Sequence, residues 1–121
     1  MPLTDYEQLV SHIEAALPAV HKFAPPTPML RLPRLDALIG GAVFLKAECL
    51  QATGSFKVRG ALNVMTPLKQ QQSVNHVVAF SSGNHGIGVA YAAKCLQMHA
   101  SVVVPSDAPI RKVDRIRSLG A

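Results

Sequence analysis

The second half of the chain alternates two hydrophobic patterns at short range, and this alternation limits the fold more than any other feature. Val77-Val78-Ala79-Phe80 is an unbroken apolar run, which reads as a buried strand. Ser81-Ser82-Gly83 turns the chain, and Asn84 to Leu96 is Ala-rich and helical in pattern. Ser101-Val102-Val103-Val104 reads as a second buried strand, stopped by Pro105. Asp107 is a candidate cap for a last helix, with Ile110, Val113, Ile116 and Leu119 facing inward and Gly120 at its end. Strand, helix, strand, helix predicts an α/β architecture: βαβ units, a parallel sheet, flanking helices and right-handed crossovers.

The first half is less regular. Thr4 and Glu7 form a capping box, and Tyr6, Leu9, Val10, Ile13, Ala16 and Leu17 recur at helical spacing, so a helix is expected over residues 5–17, closed by Pro18. Pro25, Pro26 and Pro28 exclude helix and central strand and predict a stiff, extended segment. Residues 34–39 suit a short helix ended by Gly40-Gly41, and residues 42–47 a strand. Gln51-Ala52-Thr53-Gly54 is turn-like. Ser55 is then a plausible N-cap for a helix from Phe56 to Met65 or Leu68, burying Val58, Ala61, Leu62, Met65 and Leu68.

Composition narrows the function classes. A chain of 121 residues suits one domain, and 49% apolar with 16% charged residues excludes intrinsic disorder. With 5% aromatics and no Trp, the core must come from Ala, Val, Leu and Ile. Cys49 and Cys95 lack ligand spacing and fit a reducing compartment; His12, His21, His76, His85 and His99 are scattered, so no metal site is expected. No secretory signal and no apolar run of about 18 residues is visible, so a cytoplasmic protein without a membrane partner is expected. The formal charge of +5 invites a nucleic-acid reading. Yet Asp107 and Asp114 interleave with Arg111, Lys112, Arg115 and Arg117, and stacking aromatics are missing, so a solvated helix face explains them better. Three strands are fewer than a doubly wound sheet usually carries, so the domain is expected to be incomplete at its C-terminus, with an open apolar edge that favours self-association as a homo-oligomer.

Two segments offer chemistry. Lys57 falls in the first turn of an expected helix, where the macrodipole repels its charge; that field and partial burial would lower its pKa and favour an amine nucleophile. A single lysine is more commonly a solvated surface group. Ser81-Ser82-Gly83-Asn84-His85-Gly86 follows a strand and opens a helix, where free backbone N–H groups bind carboxylate or phosphate. The same residues equally suit an ordinary βα turn with an Asx-type cap, and His85 alone is more often a packed or capping histidine. Gly83, Gly86 and Gly88 do not make the dinucleotide fingerprint GxGxxG.

Taken together the two segments are much more specific. The run from Leu45 through Glu48, Gly54-Ser55-Phe56-Lys57 and Val58-Arg59-Gly60-Ala61 resembles the pyridoxal-phosphate lysine motif of the threonine/serine dehydratases and serine racemases, within the tryptophan-synthase-β-like, fold type II enzymes. Ser81-Ser82-Gly83-Asn84-His85-Gly86 resembles that family's substrate-carboxylate loop, Thr27-Pro28-Met29 its early Thr-Pro-Leu, and residues 102–121 its next strand and helix. Val58-Arg59-Gly60-Ala61 and Asn84-His85 favour dehydratase or racemase over cysteine synthase, while Ala47 and Ile87 depart from the family's usual residues.

The resemblance implies that Lys57 holds pyridoxal 5'-phosphate as a Schiff base and acts as the Cα base. Phe56 and Asn84 would contact the cofactor. Ser81, Ser82, Asn84 and His85 would surround the substrate carboxylate, and Ser82 would be a second catalytic group on the opposite face of Cα. The implied function is dehydration and deamination of a serine- or threonine-type amino acid to a 2-oxo acid and ammonia, with serine or hydroxyaspartate racemisation as the alternative. It also implies one partial fold type II domain over residues 1–121: an N-terminal helix, Pro-rich segment and first strand over 1–50, then the lysine motif and a βαβα portion over 51–121. The family's glycine-rich phosphate loop, its contact to the pyridine nitrogen and its acidic metal residues have no counterpart in these residues. Little or no catalysis is therefore expected of this chain alone, and a non-catalytic truncated remnant or interaction module is the rival expectation.

Overall fold

The computed structural model describes residues 3–71 and 74–121. The order is α1 (Leu3–His21), β1 (Met29–Arg31), α2 (Pro33–Ile39), β2 (Phe44–Lys46), a 3-10 turn (Glu48–Leu50), α3 (Lys57–Gln70), β3 (His76–Phe80), α4 (Asn84–Leu96), β4 (His99–Val103) and α5 (Ile110–Ser118). β3 and β4 pair in parallel, with His76 opposite His99 and Phe80 opposite Val103. β1 and β2 form a separate antiparallel ladder, Met29 opposite Lys46 and Arg31 opposite Phe44. The rhythm of the second half thus folds as the α/β pattern expected, but neither β3 nor β4 is buried as expected: Val78, Phe80 and Val103 are exposed, since only one face of this two-stranded sheet is covered by helices. The short β1–β2 ladder was not foreseen, because only three residues separate Pro28 from Leu32.

Helix α4 is the hub. Gly86, Ile87, Gly88, Val89, Ala90, Ala92 and Ala93 are all buried. On one side Val89, Ala92 and Ala93 join Val58, Ala61, Leu62 and Met65 of α3, with Val20, Ala24 and Met98, in one core. On the other side Ile87 and Ala90 pack with Ile116 of α5, against Val102 and Val104. Small residues let α4 serve four neighbours, α3, α5, β3 and β4, at close range. Burying Leu62 and Val58 completely contributes roughly 1.5–3 kcal/mol each.

Several helix ends differ from expectation. Pro18 lies inside α1 rather than at its end, since the last turn places Val20 in the core, with Ala24 just beyond; that burial offsets the hydrogen bond that proline cannot donate. α1 already includes Leu3 and Thr4, so Thr4 is not its N-cap as expected. Pro109, not Asp107, occupies the N-cap of α5, and Ile110 is exposed rather than inward. Ser55 does not cap α3: Phe56 takes that position without a side-chain cap, and the Ser55 side chain is buried instead. Gly40 ends α2 in the left-handed region at φ 72°, as a C-terminal glycine should.

Candidate active site

The lysine segment is built from a tight approach. Gly54 sits at φ 76°, a conformation that favours glycine, and its N–H donates to the Gln51 carbonyl at 2.7 Å. The chain then enters α3 at Lys57. Lys57 is exposed, so the partial burial expected of it is absent. Its Nζ lies 5.0 Å from the centre of the Phe56 ring, which is itself 58% exposed. The side chain is therefore solvent-facing and flanked by a flat apolar neighbour.

The second segment is the β3–α4 turn. The Ser81 Oγ accepts a hydrogen bond from the Gly83 N–H at 3.1 Å, which shapes the turn. No side chain caps α4 at Gly83, so the first-turn N–H groups of α4 point their dipoles at whatever lies before the helix. Ser81 is half-buried, and Ser82, Asn84 and His85 are exposed. His85 also borders an apolar cleft of about 320 Å³ with Gly60, Val64, Leu68 and Val78.

Two residues outside the expected set tie this region together. A Cβ placed on Gly88 would come within 3.1 Å of both the Lys57 carbonyl carbon and the Val58 nitrogen. Helix α4 thus touches the backbone of the lysine segment, and Gly88 is one helical turn from Asn84 on the same face. In the sequence Gly88 is a mismatch to a nucleotide fingerprint, and a glycine within an Ala-rich helix is the available signal of close approach. Similarly, a Cβ on Gly86 would meet Val102 Cγ1 at 2.9 Å and the Ser81 carbonyl oxygen at 3.0 Å, locking the turn onto β4. The other residue is Lys112, expected to be part of a solvated helix face. Its Nζ would lie 3.7 Å from a Cβ on Gly83, which brings a cation to the turn.

Polar contacts fix the other side of the lysine segment. Arg59 forms a two-pronged ion pair with Glu48, Nε to Oε2 and Nη2 to Oε1, both at 2.9 Å. Thr27 Oγ1 donates to the same Glu48 Oε1 at 2.6 Å. The Arg59 guanidinium beside Glu48 is the main reason its carboxyl is held below the usual value of 4.5. Arg115 Nη2 reaches the Ala52 carbonyl at 3.0 Å from α5. Among the described residues no cluster of three or more metal-ligating side chains occurs, and no helix is long and apolar enough to cross a membrane.

The βα layer thus carries an exposed amine at the start of α3 and an uncapped turn at the start of α4. Residues 20–121 match the family model of pyridoxal-phosphate dependent enzymes, and the chain belongs to that family. The chain is 46% identical over all of its 121 residues to an L-threo-3-hydroxyaspartate ammonia-lyase of Pseudomonas sp, of which it covers 37%. It is 42% identical over 108 residues, 89% of its length, to an L-threonine dehydratase of Mycobacterium bovis, of which it covers 25%. The solved serine racemase of Dictyostelium discoideum superposes with a TM-score of 0.86 over 92% of this chain and 36% of that one, at 40% identity. The chain thus spans between a quarter and just over a third of the length of such relatives, and its backbone follows the partial fold type II architecture.

Proposed function

We propose that this chain carries the amine and the carboxylate cradle of a pyridoxal-phosphate-dependent enzyme acting on a hydroxy amino acid. The residues suit the cofactor. An aldehyde needs an accessible primary amine, and Lys57 is exposed. A flat ring needs an apolar neighbour, and Phe56 stands open beside that amine. Ser55 Oγ, buried and without a partner among the described residues, is a spare hydrogen-bonding group two residues from Lys57. The observation that carries the reading is the Gly88 contact, which holds the Lys57 backbone one turn from the uncapped start of α4.

Pyridoxal phosphate, when bound, supplies an electron sink for the pair left at Cα after deprotonation. The protein's own residues do the rest. The first-turn N–H groups of α4, with Ser81, Ser82, Asn84 and His85 around them, hold the substrate carboxylate, and Asn84 and Phe56 contact the cofactor. Lys112 adds positive charge at the same turn. Lys57 Nζ takes the proton from Cα, and the β-hydroxyl leaves with a proton as water; hydrolysis of the remainder then gives a 2-oxo acid and ammonia. An amino acid anion is the partner this cradle fits. The second reading is racemisation. Its support is the exposed Ser82 hydroxyl in the cradle together with the serine racemase likeness, since racemisation needs a proton donor on each face of Cα.

The test is titration of the chain with pyridoxal phosphate, borohydride reduction and peptide mapping, with Lys57→Ala beside it. Label concentrated on Lys57 and lost in the variant supports the reading. Label scattered over several lysines and unchanged by the substitution overturns it and favours a non-catalytic chain. Ammonia release from serine, threonine and 3-hydroxyaspartate, against inversion of the same substrates, then separates the two activities and measures whether these 121 residues suffice.

A further inference from the structure

We propose that Arg59, Glu48 and Thr27 are positioning residues for Lys57: their ion pair and hydrogen bond lock the first turn of α3 to the proline-rich segment and so fix the direction in which the lysine amine projects. The inference rests on the reading of Lys57 as the cofactor amine. Among the described residues Lys57 makes no ion pair of its own, and its ammonium lies 5.0 Å from the centre of the Phe56 ring. Its direction must therefore come from the backbone that carries it. That backbone is the first turn of a helix with no side-chain cap, the part of a helix most prone to fray.

Two sides of this turn are restrained. From α4, Gly88 lies against the Lys57–Val58 peptide, and Val58 is fully buried. From the opposite direction the restraint is polar and centres on Arg59, two residues beyond Lys57. Besides its two bonds to Glu48, Arg59 donates Nη1 to the Ala24 carbonyl at 2.9 Å and Nη2 to the Pro25 carbonyl at 3.0 Å. Prolines explain why those carbonyls need it. Pro25, Pro26 and Pro28 lack N–H groups, so the segment cannot build a regular ladder, and its acceptors turn to side-chain donors. Gln51 Nε2 serves the Pro25 carbonyl from the other end of the lysine loop at 2.6 Å.

The geometry suits arginine specifically. A planar fork satisfies both carboxylate oxygens and two backbone carbonyls at once, which a lysine ammonium cannot do. The pair is also sheltered, the Arg59 and Glu48 side chains being 24% and 16% exposed, so water competes with it less than at an open surface. Thr27 closes the network by donating to the Glu48 oxygen that also receives Nη2. Residues 24–28, 48, 51 and 59 thus form a strap across the base of the lysine helix.

The experiment compares the unaltered chain with Glu48→Gln, Thr27→Val and Arg59→Lys. Circular dichroism reports whether each variant is folded. Amide hydrogen exchange over residues 57–60 reports the first turn. Pyridoxal phosphate with borohydride, followed by peptide mapping, reports the share of label on Lys57 relative to Lys69 and Lys94. In folded variants we expect first-turn exchange about tenfold faster and the Lys57 share to fall by a comparable factor, the size set by losing a charge-assisted hydrogen bond, with Lys69 and Lys94 unchanged. Thr27→Val, which spares the ion pair, gives the smallest change and Arg59→Lys the largest. An unchanged Lys57 share in folded Glu48→Gln and Arg59→Lys overturns the proposal. So does a parallel change at all three lysines, which marks a merely structural role. If the unaltered chain shows no label that depends on Lys57, the cofactor-amine reading fails and the strap proposal falls with it; that outcome is visible before any strap variant is made.

Discussion

The arm over residues 24–50 and the βα layer over residues 57–121 are held by different physics. In the arm only Ala24 and Ala47 are buried. Its shape comes from polar contacts: Arg59 and Gln51 on proline-segment carbonyls, Thr27 and Arg59 on Glu48, and Asp36 accepting from the Val43 N–H at 2.6 Å and pairing with Arg31 at 2.8 Å. In the layer, apolar residues of α3, α4 and α5 close two cores. The proposed amine lies at the seam, with Gly88 of the layer on one side and, on the other, the arm's Glu48 and proline-segment carbonyls that Arg59 engages. In the proposed reading the layer sets where the site is, and the arm sets how firmly its lysine is aimed. Charge and pH therefore act on the arm, while volume changes act on the layer.

This contrast can be broken at either end. The largest expected effect is in the layer: Leu62→Ala empties a fully buried position and should destabilise the chain by about 2–5 kcal/mol, read by urea unfolding. A loss under about 1 kcal/mol would mean that the α3–α4 core collapses freely around the gap. Gly88→Val comes next, at about 1–3 kcal/mol, because its side chain must displace the Lys57 peptide; it should also reduce labelling of Lys57. Retained stability with unchanged labelling would show that α4 does not hold the lysine segment.

The third prediction concerns pH. Glu48 has its folded pKa lowered, first by its hydrogen bond with Arg59. Its contribution to stability is therefore present above the usual carboxylate value of 4.5 and is lost as pH falls through the depressed folded value. Acid titration of the chain should lose part of its slope below 4.5 in Glu48→Gln, and an unchanged slope would remove Glu48 from the account. The smallest effect belongs to Arg117 and Asp114, paired at 3.7 Å with side chains 69% and 62% exposed. Asp114→Ala should change stability by no more than about 0.5 kcal/mol; a larger loss would show that charge matters in the layer too.

Much of the layer was readable before any coordinates. α4 runs from Asn84 to Leu96 as the Ala-rich pattern required, and the buried face of α3 is Val58, Ala61, Leu62 and Met65, because local periodicity and burial agree there. The chain before α3 was less readable. Pro18 stops a helix on local grounds, yet α1 continues because Val20 and Ala24 gain a core. Ser55 suits a cap by residue type, but its side chain is buried behind the lysine loop. Lys57 and the Ser81–Gly86 turn were visible as motifs with a role; Glu48, Thr27 and Lys112 fell inside matching segments but with no role attached, because their contacts, Thr27 with Glu48, Glu48 with Arg59 and Lys112 with the Gly83 turn, join residues distant in the chain.

Periodicity, glycine and proline placement, and the two motifs were enough to establish an α/β layer and to mark a candidate amine and a candidate carboxylate-binding turn. Each depends on residues near one another in the chain, whose backbone preferences and hydrophobic spacing act locally. Tertiary structure alone decided the meeting of Gly88 with Lys57, 31 positions apart, and of Arg59 with Ala24 and Pro25, 35 and 34 positions apart. Such contacts follow from which surfaces can be buried together and which carbonyls are left without an N–H. Those are properties of the packed chain, and no window of sequence contains them.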